Sequence, residues 1–346
     1  MRVGLRPGNP FAWLLDRFGL VPRALLETLH GTAHARCIML GVKLGVFEAL
    51  DSGPKSLDEI AMTTSAHQPA LERLLGALAG GGYLSLRNGK WELRSHARRW
   101  LVRSSPKCIA DQILHGFVQW KAIEGFEAFV RTGQPLDLHE KFTGQDWANY
   151  QRGMKQIASL AVGEVVARTP MPKEPRRMLD IGGSHGLYSV AFCRKYPTLE
   201  AVVLDLPEAV EYAGPLLAEE KMGARVVHRA GDALTEPLGE KEWDFVFVSQ
   251  LLHHFTAEMN LRLCERVARA LKPGGIVAVS EIERSANVNS QIRTIFDLYF
   301  AATSRSGTWS PEQIRDWQTK AGLKTQSPIR LWTMPGVVIL PAQASG

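Results

Sequence analysis

The segment of residues 178–186, MLDIGGSHG, constrains the fold more than any other part of the chain. Its first four residues are mostly apolar and predict a buried strand, and the residues from Leu187 to Tyr196 predict a helix. Three glycines within five residues join these two elements. Glycine is favoured where the backbone turns tightly and allows a ligand to approach the peptide groups. The segment therefore predicts a ligand-binding turn at the end of a strand.

A second strand end supports this interpretation. The apolar run of residues 201–204 ends at Asp205, and an acidic side chain there can accept hydrogen bonds from both hydroxyls of a ribose. The glycine spacing is G-G-x-x-G, which differs from the G-x-G-x-x-G of pyrophosphate-binding loops, and the chain contains no G-x-x-x-x-G-K-[ST] phosphate loop. Gly182, Gly183, Gly186 and Asp205 therefore predict a nucleoside site at the carboxyl edge of a parallel sheet.

Composition and charge narrow the class of protein. A chain of 346 residues with 45% hydrophobic and 22% charged residues is typical of a globular protein and can form two domains. No run approaches eighteen apolar residues, and the first residues lack a secretory apolar core. The four cysteines form no C-x-x-C pair, and the net charge of +6 is spread along the chain. These features predict a soluble, cytoplasmic protein with no bound metal and neither a nucleic acid nor a membrane as partner.

The first hundred residues predict a winged-helix arrangement. Ser56 and Glu59 form a capping box before one helix, a second helix follows at residues 68–79, and an Asn-Gly turn at residues 88–89 predicts a hairpin. The apolar residues between Ala24 and Leu50 recur at helical spacing, and little charge interrupts Ile38–Leu50. We expect this helix to pack in a dimer interface, because it is more apolar than a small domain can bury.

A winged helix is also typical of DNA-binding proteins, which leaves a DNA-binding regulator as one alternative. The residues that would form its recognition helix, 67–73, offer only one arginine, Arg73. A winged helix that serves as a structural scaffold is therefore the favoured interpretation.

The remainder of the chain predicts an α/β domain preceded by a helical linker. Residues 109–168 are rich in aromatic side chains and are predicted to be helical, and three prolines between residues 170 and 175 indicate a boundary. Strands are expected near residues 177–182, 200–206, 224–231, 244–250 and 275–282, with helices between them. The predicted domains are a winged-helix domain at 1–108, a linker that contributes to a substrate pocket at 109–170, and a Rossmann-like sheet at 171–346.

Taken together, the motifs resemble those of the class I S-adenosylmethionine-dependent methyltransferases, and more narrowly the small-molecule O-methyltransferases that include the caffeic acid and acetylserotonin enzymes. The resemblance covers roughly residues 25–340. It rests on the segment 179–186 and on four further motifs: Asp205-Leu206-Pro207, Gly231-Asp232, Leu252-His253-His254-Phe255, and Lys272-Pro273-Gly274-Gly275 before Glu281.

The resemblance implies a bound S-adenosylmethionine, a small-molecule acceptor and a homodimer formed through the winged-helix domain. It implies that the glycine loop holds the methionine part of the cofactor, that Asp205 holds its ribose, and that Asp232 and Ala233 flank its adenine. The residues assigned to the cofactor site are Asp180, Gly182, Gly183, Gly186, Asp205, Leu206, Asp232, Ala233 and Ser249. The residues assigned to the acceptor pocket are Trp120, Tyr150, Met154 and His254.

The catalytic residues implied by the resemblance are His253 and Glu281. A phenol is a poor nucleophile until it loses its proton, and imidazole, with an ordinary pKa of about 6.5, is suited to remove it. Glu281 corresponds to the carboxylate that orients this histidine. The predicted reaction is transfer of a methyl group to a hydroxyl of a small, aromatic molecule.

Three positions depart from the family pattern. His254 stands where the family usually has an aspartate, Thr308 stands where a second carboxylate is expected, and Ser249 stands where plant members often have a lysine. These departures affect the proton-transfer groups and leave the cofactor motifs intact. They leave methylation of carbon or nitrogen open as an alternative, in which binding geometry dominates over proton removal.

Overall fold

A computed structural model of the protein describes residues 9–345. This part of the chain divides into two units, the first ending at Phe117 and the second beginning at Val118. Helix α8 (Ala110–Glu124) spans the division. Among the described residues, no helix combines the length and the apolar character needed to cross a membrane.

The first unit has the predicted order of helices and a hairpin. Its helices are α1 (Pro10–Arg17), α2 (Arg23–Leu25), α3 (Thr32–Lys43), α4 (Val46–Ala49), α5 (Leu57–Thr64), α6 (Gln68–Gly80) and α7 (Ser95–Leu101), and a π-helical turn, Leu26–Gly31, joins α2 to α3. The hairpin pairs β1 (Leu84–Arg87) with β2 (Lys90–Leu93) in antiparallel register. The capping box of Ser56 and Glu59 is present at the start of α5.

The prediction of one continuous apolar helix through Ile38–Leu50 is wrong. Helix α3 ends at Lys43, and Gly45 adopts a φ of +77°, a conformation that interrupts the helix. The chain then turns so that Phe47 and Leu50 are almost fully buried in the unit's own core. In the first unit, most of the large apolar side chains that are exposed lie before α3. They include Phe11, Trp13, Phe18, Leu20, Leu25 and Leu29.

The second unit begins with helices and continues as an alternating α/β domain. The helices that precede the sheet are the rest of α8, α9 (Phe126–Thr132), α10 (Gly144–Ser159) and α11 (Val162–Arg168), with a short 3-10 turn at Leu138–Lys141. The later helices are α12 (Leu187–Lys195), α13 (Pro207–Ala218), α14 (Ala257–Ala270), α15 (Gln291–Thr303) and α16 (Pro311–Lys320), with short 3-10 turns at Gly223–Arg225 and Leu252–His254.

The sheet contains eight strands, and its five parallel strands match the five predicted segments. They are β3 (Arg177–Ile181), β4 (Glu200–Asp205), β5 (Val226–Ala230), β6 (Trp243–Ser249) and β7 (Leu271–Ile282), followed by β8 (Leu323–Thr325), β9 (Ile329–Arg330) and β10 (Val337–Ala344). The strand order is β5-β4-β3-β6-β7-β10-β8, and β9 also pairs with β10. Strand β10 is antiparallel to β7, to β8 and to β9.

Both faces of this sheet are covered, as the continuous apolar strands require. The apolar side chains of β3 divide between two clusters, with Leu179 and Ile181 in one and Met178 in the other. Helices α14 and α16 pack on the first cluster, and α11 and α12 pack on the second. The fold is therefore a mixed, mostly parallel α/β sheet that follows a helical domain.

Candidate active site

The polar residues predicted from the sequence gather where the strand order reverses. Strand β3 pairs with β4 on one side and with β6 on the other, and all three are parallel. In such sheets, ligands bind at the carboxyl ends of the strands that flank this reversal. The glycine loop, residues 182–186, follows β3. Asp205 ends β4, and His253 follows β6.

The glycine loop has a backbone conformation that favours glycine at two positions. Gly182 and Gly186 adopt φ values of +67° and +72°. Gly183 is constrained by space, because a Cβ atom there would lie 2.5 Å from the carboxyl carbon of Asp180. At these three positions the loop carries no side chain, so a ligand can approach its peptide groups.

Ser184 holds the loop in place through three contacts. Its φ of +51° is uncommon for a residue with a side chain. Its N–H donates to Oδ2 of Asp205 at 2.7 Å, its carbonyl lies 2.8 Å from Nε2 of His228, and its hydroxyl donates to Oε1 of Gln151. These contacts stabilise a conformation that would otherwise be unfavourable.

Burial raises the pKa of the two carboxyl groups beside the loop. The pKa of Asp205 is raised to about 6, and hydrogen bonds from Leu206 and Ser184 oppose the effect of burial. The pKa of Asp180 is raised to about 7 by burial, although Ser189 donates to its Oδ2 at 2.7 Å. Both groups therefore change protonation close to neutral pH, and a ligand that donates hydrogen bonds to them favours their ionised forms.

Two buried polar atoms beside the loop have no partner in the described part of the chain. They are Oδ1 of Asp180, a hydrogen-bond acceptor, and Nε2 of Gln151, a donor. Asp180 and Gln151 are both almost completely buried. A buried polar group without a partner is costly, and a bound ligand is one way to satisfy it.

The other residues assigned to the cofactor site lie along the same edge. Leu206 is partly exposed, and its N–H donates to Oδ1 of Asp205 at 2.8 Å. Asp232 and Ala233 follow β5, where Oδ1 of Asp232 accepts from the N–H of Leu234 at 2.8 Å. Ser249 is the last residue of β6. Their positions agree with one elongated site, and their roles stay predictions.

The catalytic pair predicted from the sequence is in contact. Nδ1 of His253 lies 3.3 Å from Oε2 of Glu281, and both side chains are buried. The other oxygen of Glu281 accepts from the N–H groups of Leu251 and Leu252 at 2.6 and 2.7 Å. A carboxylate can only accept, so Nδ1 carries a proton, and the tautomer that this contact favours has its lone pair on Nε2. The ring of Phe300 stacks on His253 with centroids 3.9 Å apart.

His254 is the centre of a second set of contacts. Its Nδ1 lies 2.9 Å from the hydroxyl of Ser304, and its ring centroid lies 4.2 Å from that of His253. Burial, followed by the neighbouring His253 and His139, holds the pKa of His254 well below the usual value. The imidazole is therefore neutral at physiological pH and can hydrogen-bond to a ligand without adding charge.

A cluster of aromatic rings lies beside His254 and contacts it through His139. The ring of His139 lies 5.1 Å from His254 and also from Tyr150, and it stacks on Trp147 with an interplanar angle of 18°. Phe142 contacts the same rings. His139, Phe142, Trp147, Tyr150 and His254 form a ring cluster whose members pack mostly in tilted and edge-to-face pairs, as aromatic side chains prefer.

The other two residues predicted for the acceptor pocket are Met154 and Trp120. The backbone of Met154 hydrogen-bonds to the buried His185 of the glycine loop, so this residue contacts the cofactor side. Trp120 lies on α8, which spans the division between the two units, and its role stays a prediction.

The segment after α15 stabilises the 3-10 turn Leu252–His254, which we call the histidine turn. The hydroxyl of Ser306 donates to the carbonyls of His253 and Phe255 at 3.0 and 2.9 Å. Thr308, at the expected carboxylate position, is buried, and its N–H and hydroxyl both donate to Oδ1 of Asp297 at 2.7 Å. A carboxylate is thus present beside position 308, but it comes from α15.

Sequence reasoning did not identify the residues that these contacts add to the site: His139, Phe142, Gln151, Asp297, Phe300, Ser304 and Ser306. The one available signal was the aromatic density of residues 117–154, which includes Trp147. It indicated a cover for the sheet edge without indicating which rings contact the histidines.

Comparison with known families agrees with this geometry. Residues 108–324 match the model of the O-methyltransferase domain, and residues 26–103 match the O-methyltransferase dimerisation domain. The first match covers more than half of the chain. The protein therefore belongs to the O-methyltransferase family and is an S-adenosylmethionine-dependent methyltransferase.

Individual relatives differ in the atom that they methylate. The chain is 26% identical, over 91% of its length and 93% of the relative, to 3-hydroxy-5-methyl-1-naphthoate 3-O-methyltransferase of Streptomyces sahachiroi. It is 24% identical, over 77% of its length and 80% of the relative, to bacteriochlorophyllide d C-20 methyltransferase of Chlorobaculum tepidum. Its fold matches that of human N-acetylserotonin methyltransferase in complex with SAM, with a TM-score of 0.83 and 18% identity over 99% of this chain and 100% of that one.

The residues at the glycine loop fit the family's cofactor. The loop has no room for further side chains, an acidic group stands at the end of β4, and a buried donor and a buried acceptor lack partners in the described residues. A nucleoside with a charged amino-acid end can supply the ribose hydroxyls, the ammonium and the carboxylate that these groups can bind.

Proposed function

We propose that the protein transfers a methyl group from S-adenosylmethionine to a hydroxyl of a small, planar aromatic molecule. The observation that carries this proposal is the contact between His253 and Glu281, at the same sheet edge as the glycine loop. This contact supports His253 as the base that takes a proton from the acceptor.

The cofactor is held by the residues of β3, β4 and β5. Gly182, Gly183 and Gly186 expose the peptide groups of the loop, and the carboxylate of Asp205 accepts from the ribose hydroxyls. Asp180 offers its free oxygen to the ammonium of the methionine end. When bound, the cofactor supplies an electrophilic methyl group on a sulfonium.

The proton of the acceptor passes to Nε2 of His253. Glu281 fixes the tautomer through Nδ1 and stabilises the imidazolium that forms. Leu251 and Leu252 hold Glu281 through their N–H groups, and the stack of Phe300 restricts the tilt of the ring. General-base assistance of this kind is worth about 10²–10⁴-fold in rate.

The ring cluster supports the proposed class of acceptor. Aromatic rings next to a histidine base favour a flat, aromatic acceptor, because stacking positions its hydroxyl against His253. His254, which is neutral, offers a hydrogen bond without charge. The relative from Streptomyces sahachiroi, whose name gives a hydroxylated naphthoate as acceptor, supports an acceptor of this size.

Methylation of carbon is the second candidate. It is favoured by the relative named as a C-20 methyltransferase and by the absence of a carboxylate at positions 254 and 308 themselves. In that reaction, the positions of the acceptor and the cofactor matter more than removal of a hydroxyl proton.

Mass spectrometry of the products distinguishes the two reactions. The purified protein is incubated with methyl-labelled S-adenosylmethionine and a panel of naphthols and hydroxynaphthoates, each paired with its methyl ether. Methylation of oxygen predicts one labelled methyl group on each accepted phenol and none on the matched ether. Labelled methyl groups on the ethers would support methylation of carbon.

We also propose that the protein acts as a homodimer. The exposed apolar side chains of α1 and of the helical segment 23–31 support this proposal, together with the match to a dimerisation domain. We expect an interface on the order of 2,000 Å² or more. Light scattering at micromolar concentration should give twice the chain mass, and a monomer would contradict the proposal.

A further inference from the structure

Gln151 has features of a ligand-binding residue that no sequence motif indicates. It lies on α10, is completely buried, and accepts a hydrogen bond from the hydroxyl of Ser184 through its Oε1. Its Nε2 has no partner among the described residues. A buried amide group that leaves its donor unpaired is costly, so a ligand that supplies an acceptor would bind there with advantage.

The position of Gln151 limits which ligand group it can meet. Its amide is held to Ser184, whose N–H in turn donates to Asp205. Gln151 therefore lies beside the glycine loop, two hydrogen bonds away from the carboxylate proposed for the ribose.

The chemistry of Nε2 selects among the groups at the methionine end. An amide nitrogen can only donate, so it cannot bind the ammonium, which is also only a donor. The carboxylate accepts, and a hydrogen bond to an ionised acceptor is stronger than a neutral one. The free oxygen of Asp180 has the opposite preference and suits the ammonium.

We infer that Nε2 of Gln151 binds the carboxylate of the cofactor's methionine end. This inference rests on the proposed function, because it assumes that the glycine loop holds that end of the cofactor. It extends the cofactor site to α10, the helix that also carries Trp147 and Tyr150 of the ring cluster.

Calorimetry with three cofactor fragments tests the inference. S-adenosylhomocysteine carries both charged groups, its decarboxylated analogue keeps only the amine, and 5′-methylthioadenosine has neither. Gln151→Met removes the donor at similar size. We expect it to weaken S-adenosylhomocysteine roughly 10- to 100-fold, the effect of one hydrogen bond to a charged group. The other two fragments should stay within about twofold of wild type.

A second substitution keeps the contact to Ser184 and replaces the hydrogen-bond donor by an acceptor. Gln151→Glu retains an oxygen for the hydroxyl of Ser184 and places a carboxylate where Nε2 stood. It should weaken S-adenosylhomocysteine at least as much as Gln151→Met and should leave the decarboxylated analogue bound as well as in wild type or better. The matched control is Gln145→Met on the exposed side of α10, which should change none of the three affinities.

The outcomes separate this inference from the proposed function. If Gln151→Met lowers the affinity for 5′-methylthioadenosine as much as that for S-adenosylhomocysteine, Gln151 has only a structural role and the inference is wrong. It is also wrong if neither substitution changes the binding of S-adenosylhomocysteine. If the wild-type protein binds none of the three fragments, the proposed function fails instead.

Discussion

The two sides of the site are built in different ways. The cofactor side consists mainly of backbone groups and carboxylates at the ends of β3, β4 and β5, close to one another along the sheet, with Gln151 of α10 as the proposed addition. The acceptor side consists of side chains from the turn at Leu138–Lys141, α10, the histidine turn, α15 and the segment after it. A shared fold can therefore keep one cofactor while the acceptor changes, because substitutions on the acceptor side do not alter the glycine loop.

The largest effect is expected for His253→Ala, which should change turnover on the acceptor side without changing cofactor binding. His253→Ala should lower kcat about 10²–10⁴-fold and leave the affinity for S-adenosylhomocysteine within about twofold, because the base contacts the acceptor and not the cofactor. Steady-state kinetics with an accepted phenol and calorimetry measure the two quantities.

His254→Ala is the matched control for this substitution. It removes the neighbouring imidazole, which contacts Ser304, and should reduce kcat only mildly. If His254→Ala abolishes turnover while His253→Ala does not, the assignment of the base to His253 is wrong. If neither matters, removal of a proton is not part of the mechanism.

Asp205→Ala should weaken cofactor binding and affect kcat much less, which is the opposite of the pattern expected for His253→Ala. It removes the acceptor for the ribose hydroxyls and also the partner of the Ser184 N–H, and a hydrogen bond to a charged group is worth about 1.5–3 kcal/mol. We expect S-adenosylhomocysteine to bind roughly 10- to 150-fold more weakly, with kcat at saturating cofactor reduced much less. Calorimetry that detects NAD but not S-adenosylhomocysteine binding to the wild-type protein would contradict this account of the site.

Glu281→Gln should have a smaller effect, confined to the acceptor side. The amide keeps an oxygen for the N–H groups of Leu251 and Leu252 but removes the charge that faces His253. We expect kcat to fall roughly tenfold, less than for loss of the base itself, and the cofactor affinity to stay unchanged. A loss of cofactor affinity equal to the loss of kcat would indicate that Glu281 supports the fold instead.

The smallest expected effect is a pH dependence on the cofactor side. The pKa of Asp205 is raised to about 6 in the free protein, and hydrogen bonds from the ribose favour the ionised form. Binding should therefore release protons, and affinity should be highest well above pH 6 and fall as the pH drops through this value. Asp205 alone should account for about a fourfold loss between pH 7.5 and pH 5.5. Asp205→Asn should remove this component in calorimetric titrations, and an unchanged pH dependence in that variant would assign it to another group.

The same contrast explains what the sequence could predict. The parallel strands, the glycine loop and Asp205 follow from contiguous apolar runs and short motifs, which local physics determines. The contacts between Gln151 and Ser184 and between His254 and Ser304 join residues 33 and 50 positions apart, and nothing in the local pattern indicates such pairs. The break at Gly45 was missed for a related reason, because apolar spacing alone does not reveal where one helix ends and another begins.

The pH dependence of the single-turnover rate, measured at saturating cofactor with an accepted phenol, tests the central claim most directly. If His253 removes the proton, the wild-type rate should rise with pH across the range in which imidazole titrates, about pH 5–8. The residual rate of His253→Ala should lack this rise. A rising limb of the same position and steepness in His253→Ala would contradict the account, because another group would then be the base.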